Sequence, residues 1–149
     1  MAILLASCST GNKLVLDTKC PKNCSDASNL SIRANCYTKA ITRDPGNPTL
    51  YFKRGRTYEE LFKFANAMSD FLKVIELEPG NKEACYALAG VASLNFHKEY
   101  ALHWLEKAID AGYNDYQKIH TDPALENIRS MEKYKRLLEE KCVNTVSFK

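Results

Sequence analysis

The side chains that most often perform catalysis or bind metals are few in this sequence, and their spacing suits neither task. His97 and His103 are six residues apart, which puts them on different faces of a helix, and no pair of carboxylates accompanies them or His120 at ligand spacing. Glu59 and Glu60 are adjacent acids, but solvation at the end of a helix explains them better than acid–base chemistry. The sequence also lacks a glycine-rich phosphate loop, a nucleophile elbow and a His-Glu-x-x-His motif. We therefore expect no enzyme, no metal and no cofactor.

Six cysteines are the most unusual feature of the composition. Cys20, Cys24 and Cys36 could suggest zinc, but zinc knuckles usually have two residues between cysteines and a second pair. One disulfide among these three, holding the first segment onto a helix that begins near Asp26, is favoured over zinc, and the pairing stays open. Cys85 falls in an apolar helical register, which predicts a buried free thiol.

The N-terminal segment Leu5-Ala6-Ser7-Cys8 resembles a bacterial lipobox, in which the cysteine receives a lipid after cleavage. The polar stretch that follows it suits a tether. A secretory signal has a positive start and about 7–15 apolar residues, whereas five apolar residues and no charge stand here. We expect a truncated lipoprotein signal, lipidation at Cys8 and a location in the cell envelope. The alternative is an ordinary apolar N-terminus on a cytoplasmic protein.

Length and charge narrow the remaining classes. The chain has 149 residues, 45% of them hydrophobic, which suits one domain or a short repeat array. Its 21 basic and 18 acidic residues give a net charge of +3 without a basic block, so we expect no nucleic-acid partner. No run of about 18 apolar residues is present, so we expect no transmembrane helix.

The middle of the chain repeats with a period of 34 residues. Asp44-Pro45-Gly46-Asn47 recurs as Glu78-Pro79-Gly80-Asn81, and Lys39-Ala40-Ile41 recurs as Lys73-Val74-Ile75 and Lys107-Ala108-Ile109. Agreement of several independent positions on one period is stronger evidence than any single motif. The chain is therefore expected to stack similar supersecondary units.

This period and its residues resemble the tetratricopeptide repeat, whose pattern runs aromatic-x2-Leu-Gly-x2-Tyr, then Ala-x3-Phe, then Pro. The unit 48–81 supplies six of these positions: Tyr51, Gly55, Tyr58, Ala67, Phe71 and Pro79. Arg54 stands where leucine is usual, which is the main departure. The unit 82–114 keeps Leu88, Ala89, Ala101 and Leu105, while 26–47 is a half repeat with only a second helix.

The resemblance implies an all-α solenoid of helix-turn-helix units. Helices are expected near 26–43, 48–62, 65–77, 82–95 and 98–111, with small residues letting paired helices approach closely. Residues 1–25 would be a linker and 142–149 a tail.

Residues 115–141 resemble the closing segment that follows the last unit in many bacterial tetratricopeptide proteins. Thr121 or Asp122 can cap a helix with Pro123 in its first turn. An apolar stripe at helical spacing would cover the end of the solenoid: Leu125, Ile128, Tyr134, Leu137 and Leu138.

The resemblance also implies a concave groove, lined by the first helix of each unit, that binds a partner peptide. The positions of this chain that correspond to groove positions of the family are the candidate groove residues: Asn47, Thr49, Phe52, Arg56, Glu59, Glu60, Asn81, Glu83, Tyr86, Gly90, Ser93 and Leu94. Phe52 and Tyr86 are the candidate apolar anchors, unless they pack against the neighbouring repeat instead. Arg56 could pair with a carboxylate.

Two functions follow from this interpretation. The first is a non-enzymatic scaffold that binds a partner protein or peptide, anchored in the envelope or acting as a cytoplasmic adaptor. The second is an assembly role, in which copies stack end to end. The lysine and asparagine clamp by which some family members hold a chaperone C-terminus is not expected, because Phe52, Arg56, Tyr86 and Gly90 occupy those registers.

Overall fold

A computed structural model describes residues 23–146, with side chains described as far as Lys141. The lipobox-like segment, Cys8 and Cys20 lie outside the described residues. Eight α-helices follow one another within this range: α1 (Leu30–Arg43), α2 (Pro48–Glu60), α3 (Phe64–Leu77), α4 (Lys82–Leu94), α5 (Lys98–Asp110), α6 (Tyr116–Thr121), α7 (Glu126–Arg129) and α8 (Glu132–Val146). Short 3-10 turns occur at Cys24–Asp26 and Pro123–Leu125. The expected all-α class is confirmed.

Asparagine side chains set the start of the first helix of each hairpin. Asn47 accepts a hydrogen bond from the backbone N–H of Thr49, and Asn81 accepts one from Ala84. Asn29 does the same for α1, so this helix begins at Leu30 and the expectation of a start near Asp26 is wrong. A cap side chain satisfies amide groups that have no partner inside the helix.

Neighbouring helices run antiparallel and form a stack of hairpins. Arg33 at the start of α1 contacts Glu60 at the end of α2 at 3.4 Å, and Thr38 contacts Arg54 at 3.0 Å. Tight packing between α2 and α3 explains Gly55, where an added Cβ would lie 2.8 Å from the Phe71 ring. The prediction that small residues let paired helices approach closely is therefore confirmed at this crossing.

Arg54, the departure from the repeat pattern, is partly buried and forms an ion pair with a buried carboxylate. Its guanidinium donates to both carboxylate oxygens of Asp70 on α3, at 2.8 and 2.6 Å. The side chains of Arg54 and Asp70 are only 16% and 5% exposed. The Tyr51 and Tyr58 rings lie 5.7 Å from the guanidinium carbon. A charged contact thus replaces the expected apolar one between the two helices.

Residues 23–29 form no α-helix, and a disulfide links them to α1. Of the three candidate cysteines, Cys24 and Cys36 are joined, with their Cα atoms 5.4 Å apart. The Ser25 hydroxyl lies 3.0 Å from the Tyr37 hydroxyl, and Arg33 donates to the Ala27 carbonyl. Cys85 is a buried free thiol, as predicted.

The closing segment covers the end of the solenoid. Ile119, Leu125 and Ile128 are fully buried and belong to one core with Leu102 and Leu105 of α5. The expected apolar stripe is divided between short elements: Asp122 caps a 3-10 turn, and α7 ends before α8 begins. Among the helices of residues 23–146, none combines the length and the apolar character needed to span a bilayer.

Candidate functional site

A concave surface forms where α2, α4 and the closing segment meet. It encloses a cavity of about 300 Å³. Three groups of residues line it in chain order: Phe52, Arg56 and Glu59 from α2; Glu83, Tyr86 and Ala87 from α4; and Tyr113, Lys118 and Asp122 from the chain that follows α5.

A second cavity, of about 220 Å³, adjoins the first and shares Phe52 and Glu83 with it. Thr49, Val74 and Asn81 are among its other walls. The two adjoining cavities are together called the groove below. Among the residues expected there from sequence, seven line it: Thr49, Phe52, Arg56, Glu59, Asn81, Glu83 and Tyr86.

Other candidates lie elsewhere. Asn47 caps α2 and donates its amide to Asp44, and Leu94 is the last residue of α4; neither lines the two cavities. Glu60 pairs with Arg33. Gly90 faces the closing segment, since an added Cβ would lie 3.3 Å from that of Ala124.

The closing segment therefore ends the groove halfway along α4. The side-chain amide of Asn127 donates to the Ser93 carbonyl at 2.9 Å, and Ser93 is fully buried. The repeat registers alone placed Gly90 and Ser93 in the groove because they take no account of what packs on α4.

Phe52 and Tyr86 have different environments despite sharing a register. Phe52 is half-buried, with its ring centroid 5.5 Å from that of Phe71, and it forms a wall of both cavities. Tyr86 is 7% exposed, stacks on Tyr113 at 4.2 Å and donates its hydroxyl to Asp122 at 2.7 Å. The packing alternative thus describes Tyr86, and Phe52 remains the candidate anchor.

Acidic groups outnumber basic ones around the groove. Arg56 is already paired with Glu59 at 2.7 Å. Burial raises the pKa of the Glu59 carboxyl, against the opposing effect of Arg56, and the nearby Asp122 charge raises it further. Glu83 is exposed at the rim, and the Lys118 ammonium lies 5.2 Å from the Tyr86 ring centroid. The groove therefore combines an aromatic wall with a net negative rim.

The closing segment supplies groove residues that the sequence reasoning missed. Lys118 lies on α6 and Asp122 directly follows it; this short helix was not predicted, and Asp115 caps it by accepting from the Lys118 amide. One signal for it was available, since Asn47, Asn81 and Asp115 stand 34 residues apart. Each is the N-cap of a first helix.

The groove shows no arrangement suited to metal chemistry. Within residues 23–146, no three or more histidine, cysteine or acidic side chains come together in a way that could hold a metal ion. Its polar groups can orient and pair with a bound segment.

Similarity to known proteins agrees with this stack of helical hairpins. Residues 48–81 match the tetratricopeptide repeat family. The chain therefore contains a tetratricopeptide repeat. A chloroplast protein of Arabidopsis thaliana is 30% identical over 92 residues, covering 59% of this chain. The match spans only 27% of that relative.

Solved structures share the fold. The first tetratricopeptide domain of human RPAP3 is 25% identical, with a TM-score of 0.58 over 76% of this chain and 83% of that one. The MamA structure is 22% identical, with a TM-score of 0.64 over 77% and 67%. The first tetratricopeptide domain of Spaghetti, bound to the HSP90 peptide SRMEEVD, is 22% identical with a TM-score of 0.57 over 79% and 81%.

Proposed function

We propose that this chain is a non-enzymatic interaction module that binds an extended segment of a partner protein in the groove. The position of Phe52 in the wall of both adjoining cavities is the observation that carries the proposal. An aromatic side chain beside unfilled space can take up an apolar side chain of a ligand. The similar Spaghetti domain, solved with a bound HSP90 peptide, supports this use of the fold.

The charges of the groove indicate what kind of segment it takes. Glu83 offers an exposed carboxylate at the rim, while Arg56 is engaged by Glu59 and Asp122 by the Tyr86 hydroxyl. An acidic chain terminus would meet like charge there, so the bound segment combines an apolar residue at Phe52 with a lysine or arginine beside Glu83. The peptide SRMEEVD bound to the Spaghetti domain is acidic overall, so the preference of this groove differs from that one.

We also propose that the module is anchored in the envelope through a lipid on Cys8. Two observations support the anchor: the lipobox-like segment, and a Cys24–Cys36 disulfide of the kind that persists in oxidising compartments. The mass of the protein extracted from membranes of its source tests this. A chain that starts at a diacylated Cys8 is expected, and an unmodified Cys8 would exclude the anchor.

The assembly alternative has no comparable support. The exposed residues of α1 are mainly polar and include Ser31, Asn35 and Thr42. At the other end, α8 exposes Lys133 and Arg136. Within residues 23–141, the exposed side chains at both ends are mainly polar, whereas a stable stack of copies requires an apolar surface.

Panning a random peptide library on the chain tests the groove. Enriched peptides should carry an apolar residue near a basic one, and Phe52→Ala should weaken their binding at least tenfold. Glu83→Lys should weaken the basic peptides similarly and improve acidic ones. Tyr86→Ala is a poor test, because Tyr86 also holds the closing segment through Asp122.

Leu72→Ala is the matched control, since Leu72 is also exposed (39%) but lies on α3 outside the groove. It should bind the selected peptides as tightly as the unaltered chain. Equal binding by Phe52→Ala, with the thermal unfolding midpoint unchanged, would reject the proposed site.

A further inference from the structure

Two phenylalanines stand out on the surface away from the groove. Phe62 is 80% exposed and Phe96 73% exposed. They occupy equivalent positions, 34 residues apart, in the turns that join α2 to α3 and α4 to α5. Phe62 makes an edge-to-face contact with Phe64 at 6.1 Å, which leaves most of its ring open.

Both residues occupy a backbone conformation that suits glycine better. Their φ angles are +57° and +61°, in the left-handed region. The turn after α5 has the same pair of backbone hydrogen bonds but places Gly112 there, at φ +94°. Phenylalanine therefore adds backbone strain at these turns without the gain of a buried ring. A ring retained under these conditions is suited to contact something outside the chain.

The edge of the solenoid that holds these two turns is also where the described chain begins. The Arg33–Glu60 contact puts the start of α1 beside the end of α2, close to Phe62. The Cys24–Cys36 disulfide fixes the preceding segment there. Cys8 precedes Asn23 by fifteen residues, a chain that can reach at most about 50 Å.

Basic side chains flank the two rings. Lys63 and Lys98 are exposed, and their ammonium groups form no ion pair with any residue in the range 23–141. The acids nearest in sequence are neutralised, Glu60 by Arg33 and Glu99 by Lys133. Asp26, in the first 3-10 turn, carries a negative charge that opposes those of Lys63 and Lys98. The two lysines and this one acid leave the edge with a small net positive charge.

We propose that this edge, defined by Phe62, Lys63, Phe96 and Lys98, contacts the surface of an anionic lipid bilayer. Exposed aromatic rings enter the interfacial layer while lysines remain at the headgroups. Stable attachment to a membrane generally needs two signals. This edge supplies the second signal, in addition to the proposed lipid at Cys8. The inference draws on the proposed anchor at Cys8 for the orientation of the molecule, and it is independent of peptide binding.

Co-sedimentation of the unlipidated 149-residue chain with vesicles tests the edge. Vesicles of phosphatidylglycerol and phosphatidylcholine should bind the chain at millimolar lipid and low salt. The pair Phe62→Gly and Phe96→Gly should lower the partition coefficient at least tenfold. Because glycine relieves the left-handed strain, this variant should unfold at a higher temperature than the unaltered chain, which separates lost binding from lost folding.

Two matched variants complete the experiment. Leu72→Ala, which removes an exposed apolar side chain elsewhere, should bind vesicles normally, and so should the groove variant Phe52→Ala. The double glycine variant should keep its affinity for groove peptides, so failure of this inference and failure of the groove proposal give different results.

Three results would overturn the proposal. These are no vesicle binding by the unaltered chain, equal binding by the double glycine variant, or self-association that the glycines abolish without any vesicle binding. The last result would assign the edge to a second copy of the chain.

Discussion

Arg54 determines how the central hairpin is held together. It stands at a position where the repeat pattern has leucine, and its charge is balanced by Asp70 across the α2–α3 contact. Removing one member of a buried pair leaves an uncompensated charge, whereas replacing both by apolar residues is often neutral. The effects of replacing Arg54 and of replacing Asp70 on the free energy of unfolding are therefore not additive.

We expect Arg54→Leu alone to destabilise the protein by about 3 kcal/mol, because the buried Asp70 carboxylate loses its partner. The double variant Arg54→Leu, Asp70→Leu should recover most of that loss. Urea unfolding of the two variants measures both values. If the double variant is less stable than the single one, the pair is not the reason for the loss.

Sequence reasoning identified Arg54 as unusual but not Asp70 as its partner. The two residues are sixteen positions apart on different helices, and the contact depends on the angle at which α2 crosses α3. A polar residue on α3 reads as solvated until its neighbour is known.

Protonation of Glu59 in the groove should make the free energy of unfolding depend on pH. Because burial raises the pKa of its carboxyl above 4.5 in the folded state, the folded protein binds this proton more tightly than the unfolded chain. The Glu59 contribution to the free energy of unfolding is therefore largest below pH 4.5 and declines as pH rises towards the raised folded-state pKa.

Replacing Glu59 with glutamine should remove this decline. Urea unfolding from about pH 4 to pH 7 measures the free energy of unfolding of the unaltered chain and of Glu59→Gln. The free energy of unfolding of the variant minus that of the unaltered chain should increase as pH rises. A difference independent of pH would show that Glu59 titrates normally.

At the scale of elements, the first segment and the closing segment differ most from a regular repeat. A disulfide and several backbone or side-chain contacts hold residues 23–29 where a helix would otherwise pack on α1. The cross-link joins cysteines twelve residues apart.

Replacing Cys24 and Cys36 with serine should therefore lower stability by about 2–4 kcal/mol, the usual effect of removing such a cross-link. Differential scanning fluorimetry with and without reductant measures it. Reductant should shift the unaltered chain to the midpoint of the double serine variant and leave that variant unchanged. A reductant effect that persists in the variant would point to another disulfide.

The elements that follow the 34-residue period could be predicted from the sequence, and those that depart from it could not. Helices α2 to α5 agree with the expected spans within two residues at each end. The start of α1 was misplaced because the cap at Asn29 was missed, and α6 was missed because it has only six residues. Periodicity is weak over so short a helix.

At the scale of the whole molecule, the groove is a product of three consecutive segments. The repeat registers predicted its α2 and α4 walls, including Phe52 and Glu83. They could not predict that the chain after α5 folds back, ends the groove near Gly90 and adds Lys118 and Asp122 to its rim. That arrangement depends on tertiary packing beyond the periodic part.

The central claim is that a partner segment occupies this groove, and the map of amide chemical-shift changes on adding a library-selected peptide tests it most directly. The account predicts that the largest changes fall on Phe52, Glu83 and Lys118, and that Phe52→Ala abolishes them. Changes concentrated instead on the turns of Phe62 and Phe96, or between α5 and α8, would contradict it.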